Sequence, residues 1–159
     1  LKCGSKESDV DHEGPQLVLD GDKEITTGRG GIAVTGGIVT LNDNDVYVKQ
    51  GSNGYHAVYV QNSKEANVTI NSGKYSGHRN AINIYGSESS NHNVLVTVNG
   101  GTFEHKHTNT KYSAVEITKN NDVQKLELVI KGGTFKKTKV DKYLPEGYTQ
   151  DSNSPVSKN

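Results

Sequence analysis

Two short segments of this chain set chemistry-bearing side chains next to one another. In "GHRN" (77–80) the His78 imidazole adjoins the Arg79 guanidinium, and in "LNDNDVYV" (41–48) the carboxylates of Asp43 and Asp45 alternate with amides. A base beside a fixed cation suits removal of a proton next to a carboxylate, because the cation offsets the acid's charge while the base takes the proton. Carboxylate and amide oxygens in alternation suit calcium, although the run lacks the glycine and the distant glutamate of an EF-hand loop. A solvated turn is the plainer account of both segments. Other histidines stand at His56 in "GYH" and at His105 and His107 in "EHKH". The last two lie on one side of an extended chain. They would ligate a metal only if a third partner, such as Glu104 or a residue from elsewhere, were folded against them.

The elements carrying these residues are short and extended. "LVL", "IAV", "VYV", "AVYV", "NVTI", "AINI", "VLVTV", "AVEI" and "LELVI" are nearly all alternating and rich in Val and Ile, the pattern of half-buried strands. Asn, Ser, Gly, Asp and Lys fill the intervals and favour turns, and no stretch sustains a helical apolar period. The 159 residues form one domain, with 31% hydrophobic and 23% charged residues and a formal net charge of zero. That balance, with a pI near 7.2, argues against a nucleic-acid or anionic-membrane partner. No run is apolar and long enough to span a membrane, and no signal peptide is visible. The single Cys3 excludes an internal disulfide.

Aligning the glycines reveals a repeat. "IAVTGGIV" (32–39), "VTINSGKY" (68–75), "VTVNGGTF" (96–103) and "LVIKGGTF" (128–135) each show two inward apolar positions, a small pair and a following hydrophobe. The inward pairs are Ile32/Val34, Val68/Ile70, Val96/Val98 and Leu128/Ile130, and the corner hydrophobes are Val39, Tyr75, Phe103 and Phe135. A second series, "AVYV" (57–60), "AINI" (81–84) and "AVEI" (114–117), falls between them in constant order. Self-similarity at roughly thirty residues predicts a solenoid: an all-β, right-handed parallel β-helix of about four to five coils with end caps. Val34, Ile70, Val98 and Ile130 should then stack along its interior. Gly-Gly joining the hairpins of an antiparallel sandwich is the competing architecture. Alternation turns Tyr59, Asn83 and Glu116 outward at equivalent positions, as one column near Tyr55, Tyr85 and Tyr112. Such a face suits a sugar chain, with rings stacking on tyrosine and hydroxyls meeting amide and carboxylate; surface tyrosines that merely fit a β-sheet are the alternative. Among the outward threonines only Thr69 and Thr97 align, too few for a threonine ladder.

The two Gly-Gly-Thr-Phe coils, together with Asp141, Tyr143, Leu144, Gly147 and Tyr148 of "KVDKYLPEGYTQ", resemble the β-helical repeats of large surface and secreted proteins of Gram-positive and gut bacteria. The likeness spans roughly residues 30 to 149. It implies a pectate-lyase-like scaffold, an extracellular or cell-surface location, and a role as an adhesive, glycan-binding or spacer module without catalysis. The alternative within that superfamily is a polysaccharide lyase or glycoside hydrolase, for which His78 and Arg79 would be the catalytic candidates; the paired "DD" and "GHG" motifs of polygalacturonases are absent. No cofactor is expected, with calcium at Asp43 and Asp45 as the alternative, and the expected partner is a carbohydrate or host-surface glycan. Residues 1–14 read as a polar leader, 15–31 as an N-terminal cap coil, 141–150 as a C-terminal cap and 151–159 as a tail, around a single domain at 15–150. The "LKCGS" start resembles bacterial lipoproteins, which implies lipidation of Cys3. Lys2 departs from the small residue usual there, and an ordinary thiol in a leader is the other reading.

Overall fold

The computed structural model describes residues 2–3, 16–21, 24–49, 55–109, 112–120, 124–150 and 154–159. Three strands make each coil. The first rung is β1 (Lys2–Cys3), β2 (Gln16–Asp20) and β3 (Glu24–Thr27). Next come β4 (Ile32–Val34), β5 (Gly37–Asn42) and β6 (Asn44–Val48), then β7 (Val58–Gln61), β8 (Ala66–Ile70) and β9 (Gly73–Gly77). β10 (Ile82–Tyr85), β11 (Val94–Val98) and β12 (Thr102–His105) follow, and β13 (Val115–Thr118), β14 (Leu126–Ile130) and β15 (Thr134–Phe135) form the last rung. The first strands of the rungs make sheet A, the second sheet B and the third sheet C, five strands in each. The pairing is parallel throughout these sheets; Val68 lies opposite Val96 and Ile70 opposite Val98, which excludes the antiparallel sandwich. The architecture is a β-solenoid whose five rungs include about three inner turns, a count slightly different from the four to five coils with end caps expected. The coils β4–β6, β7–β9 and β10–β12 each have neighbours on both sides.

The core follows from the period of two. Val68, Ile70, Val96, Val98 and Ile130 are wholly buried, and each such side chain contributes about 1.5–3 kcal/mol on leaving water. Tyr75, Phe103 and Phe135 form a stacked column with centroid spacings of 5.2 and 4.7 Å. The glycines explain why it fits. A Cβ on Gly101 would approach the Phe103 ring at 3.2 Å, and one on Gly133 at 3.1 Å. The Gly-Gly-Thr-Phe motif is thus a corner whose second glycine leaves room for the ring.

One phase differs from the sequence expectation. Ile32 and Val34 lie in sheet A opposite Val58 and Val60, so Val34 does not stack with Ile70. Val39 and Leu41 instead face Val68 and Ile70, and Val46 faces Tyr75. Gly36-Gly37 marks the corner between sheets A and B, whereas the later glycine pairs mark the corner between B and C. In the early coil that second corner is turned by Asp43, at φ 52°, and Asn44. Alternating strands look alike on all three sheets, so the glycine pair was a misleading phase marker. The corrected phase adds Thr40 to Thr69 and Thr97 as a third aligned threonine, with Val129 next. Beside them Asn42, Asn71 and Asn99 form a side-chain ladder with 2.8 Å hydrogen bonds.

Gly73 illustrates how tightly the coils approach. Its φ is +109°, and a Cβ there would fall on the Asn44 carbonyl of the preceding coil. Gly73→Ala should therefore cost about 1–3 kcal/mol, the scale of a residue forced into a glycine-only conformation; a urea melt with an unchanged midpoint would refute this.

The C-terminal end is covered. After a short 3-10 turn at Asp141–Tyr143, Tyr143, Leu144 and Tyr148 pack against the core. Within the segment read as a tail, β17 (Ser157–Lys158) pairs antiparallel with β16 (Tyr148–Thr149), Pro155 bridges to Thr134, and Val156 is buried. The Val156 N–H donates to the Gly133 carbonyl at 2.8 Å. At the other end β1 adds to sheet A beside β4. The rest of the expected leader, apart from Lys2 and Cys3, lies outside the described residues.

Candidate functional site

Sheet A turns two outward columns toward a groove of about 740 Å³. In the first, Ala33, Tyr59, Asn83 and Glu116 lie in register across β4, β7, β10 and β13. In the second, Tyr85 stands between Gln61 and Thr118. Asn83 points away from the core yet is only 5% exposed, because it forms the groove floor. Tyr55, His56, Arg79, Asn80 and Tyr112, from the segments entering the strands, complete the lining.

Those entering segments repeat as well. Ala57, Ala81 and Ala114 immediately precede the sheet A strands of successive coils, and Gly31 occupies the same place in an earlier one. The residues one position before them are Gly30, His56, Asn80 and Ser113. Two before them stand Arg29, Tyr55, Arg79 and Tyr112, cation and aromatic in alternation. The Arg79 guanidinium carbon lies 4.6 Å from the Tyr55 ring centre and 5.8 Å from that of Tyr112, a cation held between two π-faces. No carboxylate forms a salt bridge with Arg79 among the described residues. Rings continue along the wall: Tyr55 lies 5.9 Å from His56, His56 stacks on Tyr59 at 5.7 Å, and Tyr59 lies 6.2 Å from Tyr85. Burial, with some help from Tyr85, raises the Tyr59 phenol above its ordinary value.

His56 is a neutral imidazole in this setting. Burial is the main cause and the Arg79 charge adds to it, taking the pKa down to about 4, while the Asn80 side chain pulls weakly the other way. No hydrogen bond closes between the two side chains: His56 Nδ1 and Asn80 Oδ1 are both buried without a partner. Asn80 itself is fully buried, and its Nδ2 donates to the Ser113 carbonyl at 2.9 Å. An imidazole whose folded pKa lies below its unfolded value of about 6.5 leaves the unfolded chain binding more protons between the two. This contribution to stability is therefore intact above pH 6.5 and lost as pH falls toward 4. An NMR titration of the His56 ring with a midpoint near 6.5 would contradict it.

The structure separates the pair His78 and Arg79. At this corner consecutive side chains leave in different directions: Arg79 enters the groove, whereas His78 is 8% exposed and packs against His107 at 4.9 Å. Burial foremost, then His107 and Arg79, holds His78 below its ordinary pKa, and its Nδ1 has no hydrogen-bond partner. Asp43 and Asp45 line a separate depression with Gly73, Lys74 and Thr102. Asp45 is engaged there by the Lys74 backbone at 3.0 Å and the Lys74 ammonium at 3.1 Å. His105 and His107 border a second pocket, with Glu104, Lys106, Lys136 and Lys137 among its other residues. Among the described residues no three His, Cys, Asp or Glu side chains converge as a metal site, and no helix is long and apolar enough to cross a membrane.

Sequence reasoning placed the Tyr59, Asn83 and Glu116 column. It missed Asn80 and the stacking of Arg79, although the spacing of Tyr55, Arg79 and Tyr112 ahead of the alanines carried that signal. The chain matches no family model, no curated protein and no solved structure.

Proposed function

We propose that the sheet A groove binds a carbohydrate chain, and that the solenoid serves as a non-catalytic adhesive module of a bacterial surface or secreted protein. The observation that carries this reading is the row of Tyr59, Asn83 and Glu116 in register, walled by Tyr55, Tyr85 and Tyr112. Flat rings accept the apolar faces of sugars, and the amide and carboxylate between them accept and donate to hydroxyls. Hydrolysis through paired carboxylates would need a second acid about 5–9.5 Å from the first. Among the described residues Glu116 is the one carboxylate in the groove lining. The bacterial and surface assignments rest on the likeness of the Gly-Gly-Thr-Phe coils and of the Cys3 segment to such proteins.

One observation favours a second reading, a polysaccharide lyase. His56, rather than His78, places a neutral base beside the Arg79 cation in the groove. A glycan array probed with the purified chain, run beside a spectrophotometric assay for unsaturated product from uronate polymers, separates the readings. Binding without cleavage is the expected result. Cleavage abolished by His56→Ala would replace the proposal with the lyase, and silence in both assays would leave a spacer.

A further inference from the structure

A second pocket adjoins the groove at Tyr112. That ring also lines the second pocket, of about 420 Å³, where it lies 4.6 Å from His107. The two depressions thus share an aromatic wall. Among the described residues their charges are unbalanced: Arg79, Lys106, Lys136 and Lys137 stand against two carboxylates, Glu104 and Glu116. Glu104 is already engaged by Lys106 at 2.6 Å and by Lys136 at 3.4 Å. On a chain whose formal net charge is zero, this is a local excess of positive charge beside a surface suited to sugars.

Two further observations locate the excess in the second pocket. Lys137 adopts φ +55°, a left-handed conformation that glycine or asparagine would take more cheaply. The chain nevertheless spends that corner on a long cation, and strained positions of this kind gather at binding sites. His105 Nδ1 is buried and without a hydrogen-bond partner at the same place. Burial, followed by Lys137 and His107, holds the His105 imidazole below its ordinary pKa, with Glu104 pulling weakly the other way.

From this geometry we infer that the ligand of the groove is a sulfated glycan, its sugar rings on the tyrosines of sheet A and a sulfate ester in the pocket between Lys106, Lys136, Lys137 and His105. The inference rests on the carbohydrate reading above and adds the class of sugar. Lysine ammoniums act as point charges and match a tetrahedral oxyanion with several outward oxygens, whereas a planar carboxylate is best matched by a forked guanidinium. A sulfate half-ester also keeps its charge across the physiological pH range.

The test is calorimetry on the full chain with four probes: a sulfated oligosaccharide, the same chain chemically desulfated, a uronate oligosaccharide and inorganic sulfate. The sulfated sugar should bind at least about tenfold more tightly than its desulfated form, the scale of one charge-assisted hydrogen bond. In the Lys136→Gln, Lys137→Asn double variant that preference should vanish while binding of the desulfated chain persists, which also certifies the fold. The His105 ring should titrate at higher pH with the sulfated sugar bound. Equal affinity for sulfated and desulfated chains, or tighter binding of the uronate, would overturn the sulfate assignment and leave the carbohydrate groove standing. Failure of every sugar would defeat both. Inorganic sulfate alone shifting His105 as far as the sulfated sugar does would reduce the pocket to a simple anion site.

Discussion

Phe103→Ala should lower the unfolding free energy by about 3–5 kcal/mol, the cost of removing a fully buried aromatic ring from a core that cannot close over the gap. Phe103 is the middle ring of three. It is flanked by Tyr75 at 5.2 Å and Phe135 at 4.7 Å, with interplanar angles of 7° and 11°, and none of the three is exposed. Its edge also rests over Gly101 and Gly133, so no side chain stands ready to fill the space. The loss should exceed that of Phe135→Ala, which uncovers one neighbouring ring, and Phe103→Leu should retain part of the stability. Urea denaturation followed by circular dichroism measures all three. A Phe103→Ala midpoint within error of the parent, with the same slope, would show that the coils are not held by this column.

Tyr59→Ala should weaken glycan binding by about 2 kcal/mol, roughly thirtyfold, as expected for a central aromatic anchor. Tyr59 stands in the first outward column of the groove, stacked on His56 and close to Tyr85, so its removal takes one platform away and loosens two others. The thermal midpoint should change little, because the side chain lies on the outer face. Tyr47→Ala is the matched control: Tyr47 is an exposed tyrosine on sheet C and is absent from the groove lining. Equal losses in the two variants would mean that the groove is not the binding surface. If Tyr59→Ala binds as well as the parent, the sugar rings do not rest on this column.

The legibility of the site differs from residue to residue. Tyr59, Asn83 and Glu116 could be placed together because each follows an alanine at the same distance, and strand alternation then fixes their side. Asn83 nevertheless looked like an exposed amide; its burial comes from walls contributed by other segments of the coils. His78 and Arg79 looked like a pair because they are adjacent in sequence, but a solenoid corner sends neighbouring side chains to different faces. The closing segment was unreadable for another reason. "SPVSKN" offers a single apolar residue, Val156, and its order comes from pairing with Thr134 and Tyr148–Thr149.

By itself the sequence determined the all-β class, the parallel solenoid, the aromatic column and the order of the strand types, because these depend on periods of two and of roughly thirty that repeat along the chain. The tertiary structure alone decided the phase of the early coil, the pairing of β17 with β16 and the aromatic wall that the groove and the lysine pocket share. Alternation does not distinguish one sheet of a three-sided coil from another, and a wall built from residues about thirty positions apart exists only once the coils are stacked.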